Sequence, residues 1–331
     1  MKKYNNFVSF LYKSKGFFRL IYVFIILIFS FTYGGIAFII GFFTYSTVYL
    51  INLLFRKLPF HIKKEIQIDT QVYKITDSKK ELKMDLYYPE KKQNKYPTVL
   101  FAHGGGWISG FRRQTNNVSW CKYLAANGFL VCSIDYRLGI SNTMNEILED
   151  YEDALIYIKD YSKELKVDTE KINLMGLSAG GHLSFLYAAY HSAMMNEKEM
   201  EGIKSLILYY TPYDLKDIFK KDTKSLFAKF AVLSTMKARP NDNELDYEFY
   251  SPKHWINEHL PPVFLAHGKI DDTVPFYSSV KIAKKLKHYN VPFEFLVHKQ
   301  GGHTFEFYMN DYQTTKIINR TISFLKRMNK L

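Results

Sequence analysis

Gly176-Leu177-Ser178-Ala179-Gly180 sets a serine between two glycines at Gly-x-Ser-x-Gly spacing, directly after the largely apolar residues 171–175 and ahead of a helix-forming stretch. A strand that reverses sharply into a helix forces its turn residue into a strained backbone, and only small neighbours avoid the clashes that follow. The hydroxyl then stands above the sheet at a helix N-terminus, where amides favour negative charge. Ser178 is therefore a candidate nucleophile for acyl transfer. A plain N-cap serine among packing glycines is the competing reading of these residues taken alone.

A serine hydroxyl needs a base, and the base needs an orienting carboxylate. Gln300-Gly301-Gly302-His303 follows the last apolar run, and its glycines let the ring of His303 swing toward the serine. The preceding run ends in His267-Gly268-Lys269-Ile270-Asp271-Asp272, where Asp271 is the expected carboxylate and Asp272 its substitute if the loop is offset by one. Ser178, Asp271 and His303 then stand in the chain order Ser…Asp…His. Attack on a carbonyl places charge on oxygen, and His103-Gly104-Gly105-Gly106-Trp107 can turn backbone amides into a site to receive it. The expected donors are the amides of Gly105, Gly106 and Ala179. His103 reads as a brace of this loop and Trp107 as a pocket wall. His182 and His267 read as structural, and the acidic residues Glu146, Glu149, Asp150, Glu152 and Asp153 as a solvated helix face. No spacing suggests a metal or dinucleotide site, so no cofactor is expected.

These loops need a scaffold of buried strands. Continuous apolar runs near 97–102, 129–134, 172–175, 205–210, 263–266 and 293–297 alternate with helical stretches near 113–126, 144–164, 179–192, 277–289 and 311–329. That rhythm predicts a mostly parallel sheet with helices on both faces. Residues 65–76 and 82–88, separated by a polar turn at 77–80, predict an antiparallel pair in front of it. Residues 212–260 break the rhythm and are expected to form an inserted lid or side wall. Cys121 and Cys132 are too few for a disulfide framework, and Cys132 lies in an apolar run.

Residues 1–64 are of a different kind. They carry nine Lys or Arg and no Asp or Glu, which is most of the formal net charge of +13 of the 331-residue chain. Positions 20–55 hold no charge at all. About 24 residues of helix span about 36 Å, so residues 20–43 fit one tilted membrane crossing. The basic excess thus reads as membrane-flanking charge, and no nucleic-acid partner is expected. A hairpin turning at Gly34-Gly35 is the alternative. Five basic residues before the span against four after it slightly favour an extracytoplasmic domain. The expected organisation is a basic N-terminus and anchor over 1–64, and a catalytic domain over 65–331.

The motifs together resemble the α/β-hydrolase superfamily, and most closely its hormone-sensitive-lipase-like esterase branch. The resemblance rests on His103-Gly-Gly-Gly-Trp107, Gly176–Gly181, Asp135-Tyr136-Arg137-Leu138, Ser251-Pro252 and the HG-x-x-D-x-x-VP pattern of residues 267–275. The stretch 104–182 is also similar to isoprenylcysteine methylesterases and kynurenine-formamidase-like proteins. After Leu138 that branch carries a Pro-containing segment where Gly139-Ile140-Ser141-Asn142-Thr143 stands here, a departure that bears on pocket shape and substrate subclass. The resemblance implies a serine esterase or lipase acting on a small-molecule or lipid ester, and the N-terminal stretch adds the membrane anchor. An amidase or peptidase with the same three residues, and a non-catalytic scaffold on the same fold, are the alternatives.

Overall fold

The computed structural model describes residues 24, 25, 28, 40–44, 47, 56–60, 62, 65–221 and 223–331. Apart from those scattered positions, the expected span over 20–43 lies outside the described residues. Among the described residues no helix is long and apolar enough to cross a membrane.

Eight strands form one sheet in the order β1-β2-β4-β3-β5-β6-β7-β8. Strands β1 (Ile68–Ile75) and β2 (Glu81–Tyr87) pair antiparallel, as the alternating pattern and polar turn predict, and β2 pairs antiparallel with β4 (Leu130–Ile134). From β4 onward every neighbour is parallel: β3 (Tyr96–Ala102), β5 (Val167–Leu177), β6 (Ile203–Tyr209), β7 (Val263–Gly268) and β8 (Phe293–His298). Parallel strands end at the same edge, so the loops after β3, β5, β7 and β8 can meet there.

Two cores explain why the strand sequences are continuously apolar. Side chains alternate across the pleat. Leu100 and Ala102 enter one core while Val99 and Phe101 enter the other. Helices α1 (Thr115–Ala126) and α7 (Tyr312–Met328) cover the second core through Trp120, Leu124, Ile318 and Leu325. The first lies under α2 (Met144–Asp160), α3 (Ala179–Ala193) and α6 (Tyr277–His288), through Ile147, Leu183 and Ile282. Each such buried side chain contributes about 1.5–3 kcal/mol. Cys121 and Cys132 are buried free thiols within these cores.

The acidic run on α2 departs from its expected solvated role at one position. Asp150 is fully buried, accepts from the backbone N–H of Arg137 at 2.8 Å and from its guanidinium, and meets Lys74 at 2.8 Å. The helix is held at its start by a Thr143–Glu146 capping box, and Asp150 lies one turn beyond Glu146 on the buried side. Removing one partner of such a buried pair costs about 3–5 kcal/mol.

Residues 212–260 contain α4 (Leu226–Met236) and α5 (Glu244–Phe249) with two 3₁₀ turns, Leu215–Phe219 and Pro252–His254. Helix α4 crosses the edge where the parallel strands end. At its start Ser225 N–H donates to Asp272 O at 3.2 Å. At its far end Lys237 Nζ donates to the carbonyls of Gly139 and Ile140 at 2.8 and 2.9 Å.

Candidate active site

Ser178 occupies the turn between β5 and α3 with φ +51° and ψ −113°, a region that L residues enter at a steric cost. The glycines around it make this turn possible. A Cβ on Gly180 would stand 2.1 Å from Ala102 O, and one on Gly176 would stand 2.2 Å from the Gly180 carbonyl carbon. Both approaches exclude any side chain. Ser178 is itself anchored by its N–H, which donates to Tyr209 O at 2.9 Å, and its own carbonyl accepts the N–H of His182 to begin the helix.

The loops after β7 and β8 touch through a second pair of glycines: a Cβ on Gly268 would lie 2.3 Å from Gly301 O. Ile270 N–H donates to that same carbonyl at 3.0 Å. This contact brings Asp271 against His303. His303 Nδ1 lies 2.7 Å from Asp271 Oδ2, and His303 Nε2 lies 3.1 Å from Ser178 Oγ. Because a carboxylate only accepts, Nδ1 carries the proton and Nε2 is left to accept from the serine. Asp272 is not in this chain of bonds; its side chain accepts from Thr273 Oγ1.

The side chain of Asp271 is fully buried, and four donors converge on it. Thr273 N–H and Val274 N–H reach Oδ1 at 2.8 and 2.9 Å, while His303 and His267 reach Oδ2. Burial opposes its charge, but the two histidines and these donors hold it ionised, well below the usual carboxylate range. For His303 burial also opposes charge, and the Asp271 carboxylate outweighs it, lifting the imidazole above its ordinary value.

Gly104 runs against the serine, with its Cβ direction 3.6 Å from Ser178 Cβ. Positive φ at Gly105 (+126°), Gly106 (+60°) and Trp107 (+61°) then curls the loop back on itself. The amides of Gly105 and Gly106 have no protein acceptor among the described residues, and neither has Ala179, whose position as the first residue of α3 leaves its N–H outside the intrahelical ladder. His103 braces the loop as expected. Its Nδ1 donates to Gly104 O at 2.7 Å, its ring stacks on Tyr136, and Tyr136 Oη donates to His103 O. Trp107 differs from its expected place. The curl turns its ring inward, where it is buried edge-on to His182 at 5.1 Å instead of forming an open wall. That His182 is buried too, its pKa pushed down to about 4 by desolvation, and it bonds Tyr250 O at 2.7 Å. Helix α4 approaches the loop closely, with Ala231 and Phe227 2.9 and 3.1 Å from where a Cβ of Gly106 would be.

Three residues here escaped the sequence reading. His267 reads as structural from its place at a strand end, but its Nε2 donates to Asp271 Oδ2 at 3.1 Å while Nδ1 accepts from Ser279 Oγ at 2.7 Å. Its signal was the His-Gly-x-x-Asp spacing itself. Tyr210 packs its ring 4.6 Å from that of His303 and donates through Oη to Glu306 Oε1. Glu306 is fully buried, and desolvation raises its pKa to about 7. Nothing local in the sequence marks either.

Three comparisons bear on this arrangement. The BD-FAE family matches residues 84–286. A probable isoprenylcysteine α-carbonyl methylesterase of Oryza sativa is 25% identical across 67% of this chain and 55% of its own. A probable carboxylic ester hydrolase of Mycobacterium tuberculosis, LipM, is 28% identical across 58% of this chain and 45% of its own. The chain thus spans about half the length of the curated relatives it matches. Among solved structures, a thermophilic esterase of Thermogutta terrifontis superposes with a TM-score of 0.64 at 25% identity, covering 80% of this chain and 93% of its own.

Proposed function

The chain belongs to the BD-FAE family of α/β-hydrolases, and on that premise we propose that it is a membrane-anchored serine esterase that hydrolyses carboxylic esters through Ser178, His303 and Asp271. The observation that carries the reading is the continuous pair of short contacts from Ser178 Oγ through His303 to Asp271.

In the proposed reaction Ser178 Oγ attacks the ester carbonyl as its proton passes to His303 Nε2. The carbonyl oxygen takes the charge and is held by the amides of Gly105, Gly106 and Ala179, each contributing about 3 kcal/mol to the transition state. Collapse expels the alcohol, which takes the proton from His303. Water then attacks the acyl-serine, giving its proton to His303, and the carboxylic acid departs as Ser178 regains its hydrogen. Asp271 fixes the tautomer and stabilises the imidazolium throughout.

Helix α4 serves as the roof and side wall of the acyl pocket in this reading. Its span from Asp272 to Gly139 and its contact with Gly106 support that role. The uncharged residues 20–55 serve as the anchor, with a single crossing and the domain on the extracytoplasmic side. The likeness to methyl and carboxylic ester hydrolases supports an ester over an amide. A panel of p-nitrophenyl esters graded by chain length, run beside Ser178→Ala and a fluorophosphonate probe, tests the reading. Turnover by the wild type with none by the variant is expected. Full turnover by Ser178→Ala, or a wild type that neither hydrolyses nor takes the probe, would overturn it.

A further inference from the structure

A helix lying on a domain surface ordinarily presents a polar outer face. Helix α4 does not. Ala228, Ala231, Val232 and Thr235 are buried, yet Leu226, Phe227 and Phe230 on its other side are 79%, 48% and 58% exposed. Single exposed apolar residues are common, but a cluster of them rimmed by polar groups marks an interaction surface. The cluster extends beyond α4. Exposed Ile140 follows the glycine that α4 abuts, and exposed Ile270 precedes the Asp271–Asp272 loop that α4 starts from. Exposed Phe111 follows Gly110, which packs on Gly104. All six stand on loops or the helix that surround Ser178.

The entry of the chain points the same way. The uncharged stretch 20–55 gives way at Arg56, whose guanidinium carbon sits 3.8 Å from the ring centre of Tyr308, five residues after His303. Leu58 N–H donates to Ser119 Oγ in the second turn of α1. The polypeptide therefore joins the domain beside the catalytic loops. Exposed Lys221 and Lys224 precede the helix and half-exposed Lys229 lies in its first turn, charges suited to anionic headgroups.

We propose that the exposed apolar face of α4, rimmed by Phe111, Ile140 and Ile270, docks into the surface of a lipid bilayer and that the ester reaches Ser178 from the acyl-chain region. The substrate class is accordingly a membrane-dissolved ester with a long apolar part. This rests on the esterase reading above and deepens it. Apolar burial in an interface and attraction to anionic lipid act together in such docking. The tether supplies high local concentration, and α4 sets the orientation.

The full chain is reconstituted in phosphatidylcholine–phosphatidylglycerol vesicles containing a long-chain fluorogenic ester, and its turnover is divided by that of dispersed p-nitrophenyl acetate. In the double variant Leu226→Gln/Phe230→Gln this ratio falls by at least about tenfold, since the apolar burial lost with two side chains exceeds what a factor of ten requires; an unchanged ratio overturns the proposal. Phe230→Cys carrying an environment-sensitive fluorophore supplies a second measurement, since both native cysteines are buried. Brominated acyl chains quench the label if α4 docks. A chain that co-sediments with vesicles but shows no quenching overturns docking and leaves the anchor standing, whereas one that does not co-sediment overturns both. Fluorophosphonate labelling of the same samples reports separately on the Ser178 reading. An unchanged ratio accompanied by conversion of a detergent-solubilised dimer to monomer assigns the face to a second copy of the chain and overturns the lipid.

Discussion

His267 and His303 share one oxygen of Asp271: Oδ2 lies 3.1 Å from His267 Nε2 and 2.7 Å from His303 Nδ1. A carboxylate held by two imidazoles has its rotation fixed by the one that does not face the serine. His267→Phe keeps a ring in the buried space and removes the donor. It is expected to lower kcat by up to about 100-fold through misplacement of the carboxylate, with little change in KM. Loss of the donor also makes Asp271 a stronger acceptor for His303, so the acid limb of the pH–rate profile moves to higher pH. A lower kcat with an unmoved limb would reduce His267 to a packing residue.

Gly106 combines φ +60° with a neighbour 2.9 Å from its Cβ position, whereas Gly128 has φ +101° and nothing within 4 Å. Alanine at either site incurs the left-handed penalty of about 1–2 kcal/mol. Only Gly106→Ala displaces an amide beside Ser178. It is expected to lose about 10²–10³ in kcat, as removal of one oxyanion donor does, while Gly128→Ala changes thermal stability alone. Steady-state kinetics and melting curves on both variants separate the two effects; equal kinetic losses would contradict the role given to the loop.

The loops after β3, β5 and β7 are legible because each joins a largely buried strand to a short glycine-containing motif, whereas β8, the half-buried edge strand, is marked mainly by the glycines before His303. Residues 97–102 read as a strand since both faces of β3 meet a core, and His103–Gly106 follows at once. The spatial order that sets β4 between β2 and β3 leaves no trace in such runs, which are apolar wherever they lie in the sheet. Asp150 reads as solvated because its neighbours Glu149 and Asp153 are acidic too; its partners Arg137 and Lys74 come from other elements. Glu306 and Tyr210 lie 96 positions apart and meet only through folding. The apolar outer face of α4 has no periodicity to betray it, since a helix apolar on both sides shows none.

His303 must be neutral to accept the proton of Ser178. Its pKa stands above the ordinary imidazole value because Asp271 holds the cation despite burial. Activity is therefore expected to rise with pH through a midpoint above about 6.5, the unperturbed value, read as kcat/KM against pH on a soluble ester. Asp271→Asn removes both the charge and the tautomer control; kcat falls by about 10⁴, and the midpoint of the residual activity moves down. A wild-type midpoint below the ordinary imidazole value would show that the carboxylate does not dominate the site.

Glu306 makes stability depend on pH. It is buried behind His303, bonded to Tyr210 Oη, and its pKa is pushed up from 4.5 to about 7 by desolvation. Between those values the unfolded chain has released the proton while the folded chain keeps it, so raising the pH favours the unfolded state. The folded protein is expected to lose roughly 3 kcal/mol across that window. The raised pKa of His303 acts in the same direction as pH passes its folded value, because the unfolded imidazole gives up its proton first. Glu306→Gln preserves an acceptor for Tyr210 and cannot ionise. Chemical denaturation of the wild type and Glu306→Gln at pH 5 and pH 8 isolates the carboxyl: the raised His303 and the lowered His182 act in opposite directions and are common to both proteins, so the wild type loses more stability than the variant as the pH rises. Parallel slopes in the two proteins would mean that water or a rearranged side chain accommodates the charge, and that the carboxyl behind the base is not held neutral by its surroundings.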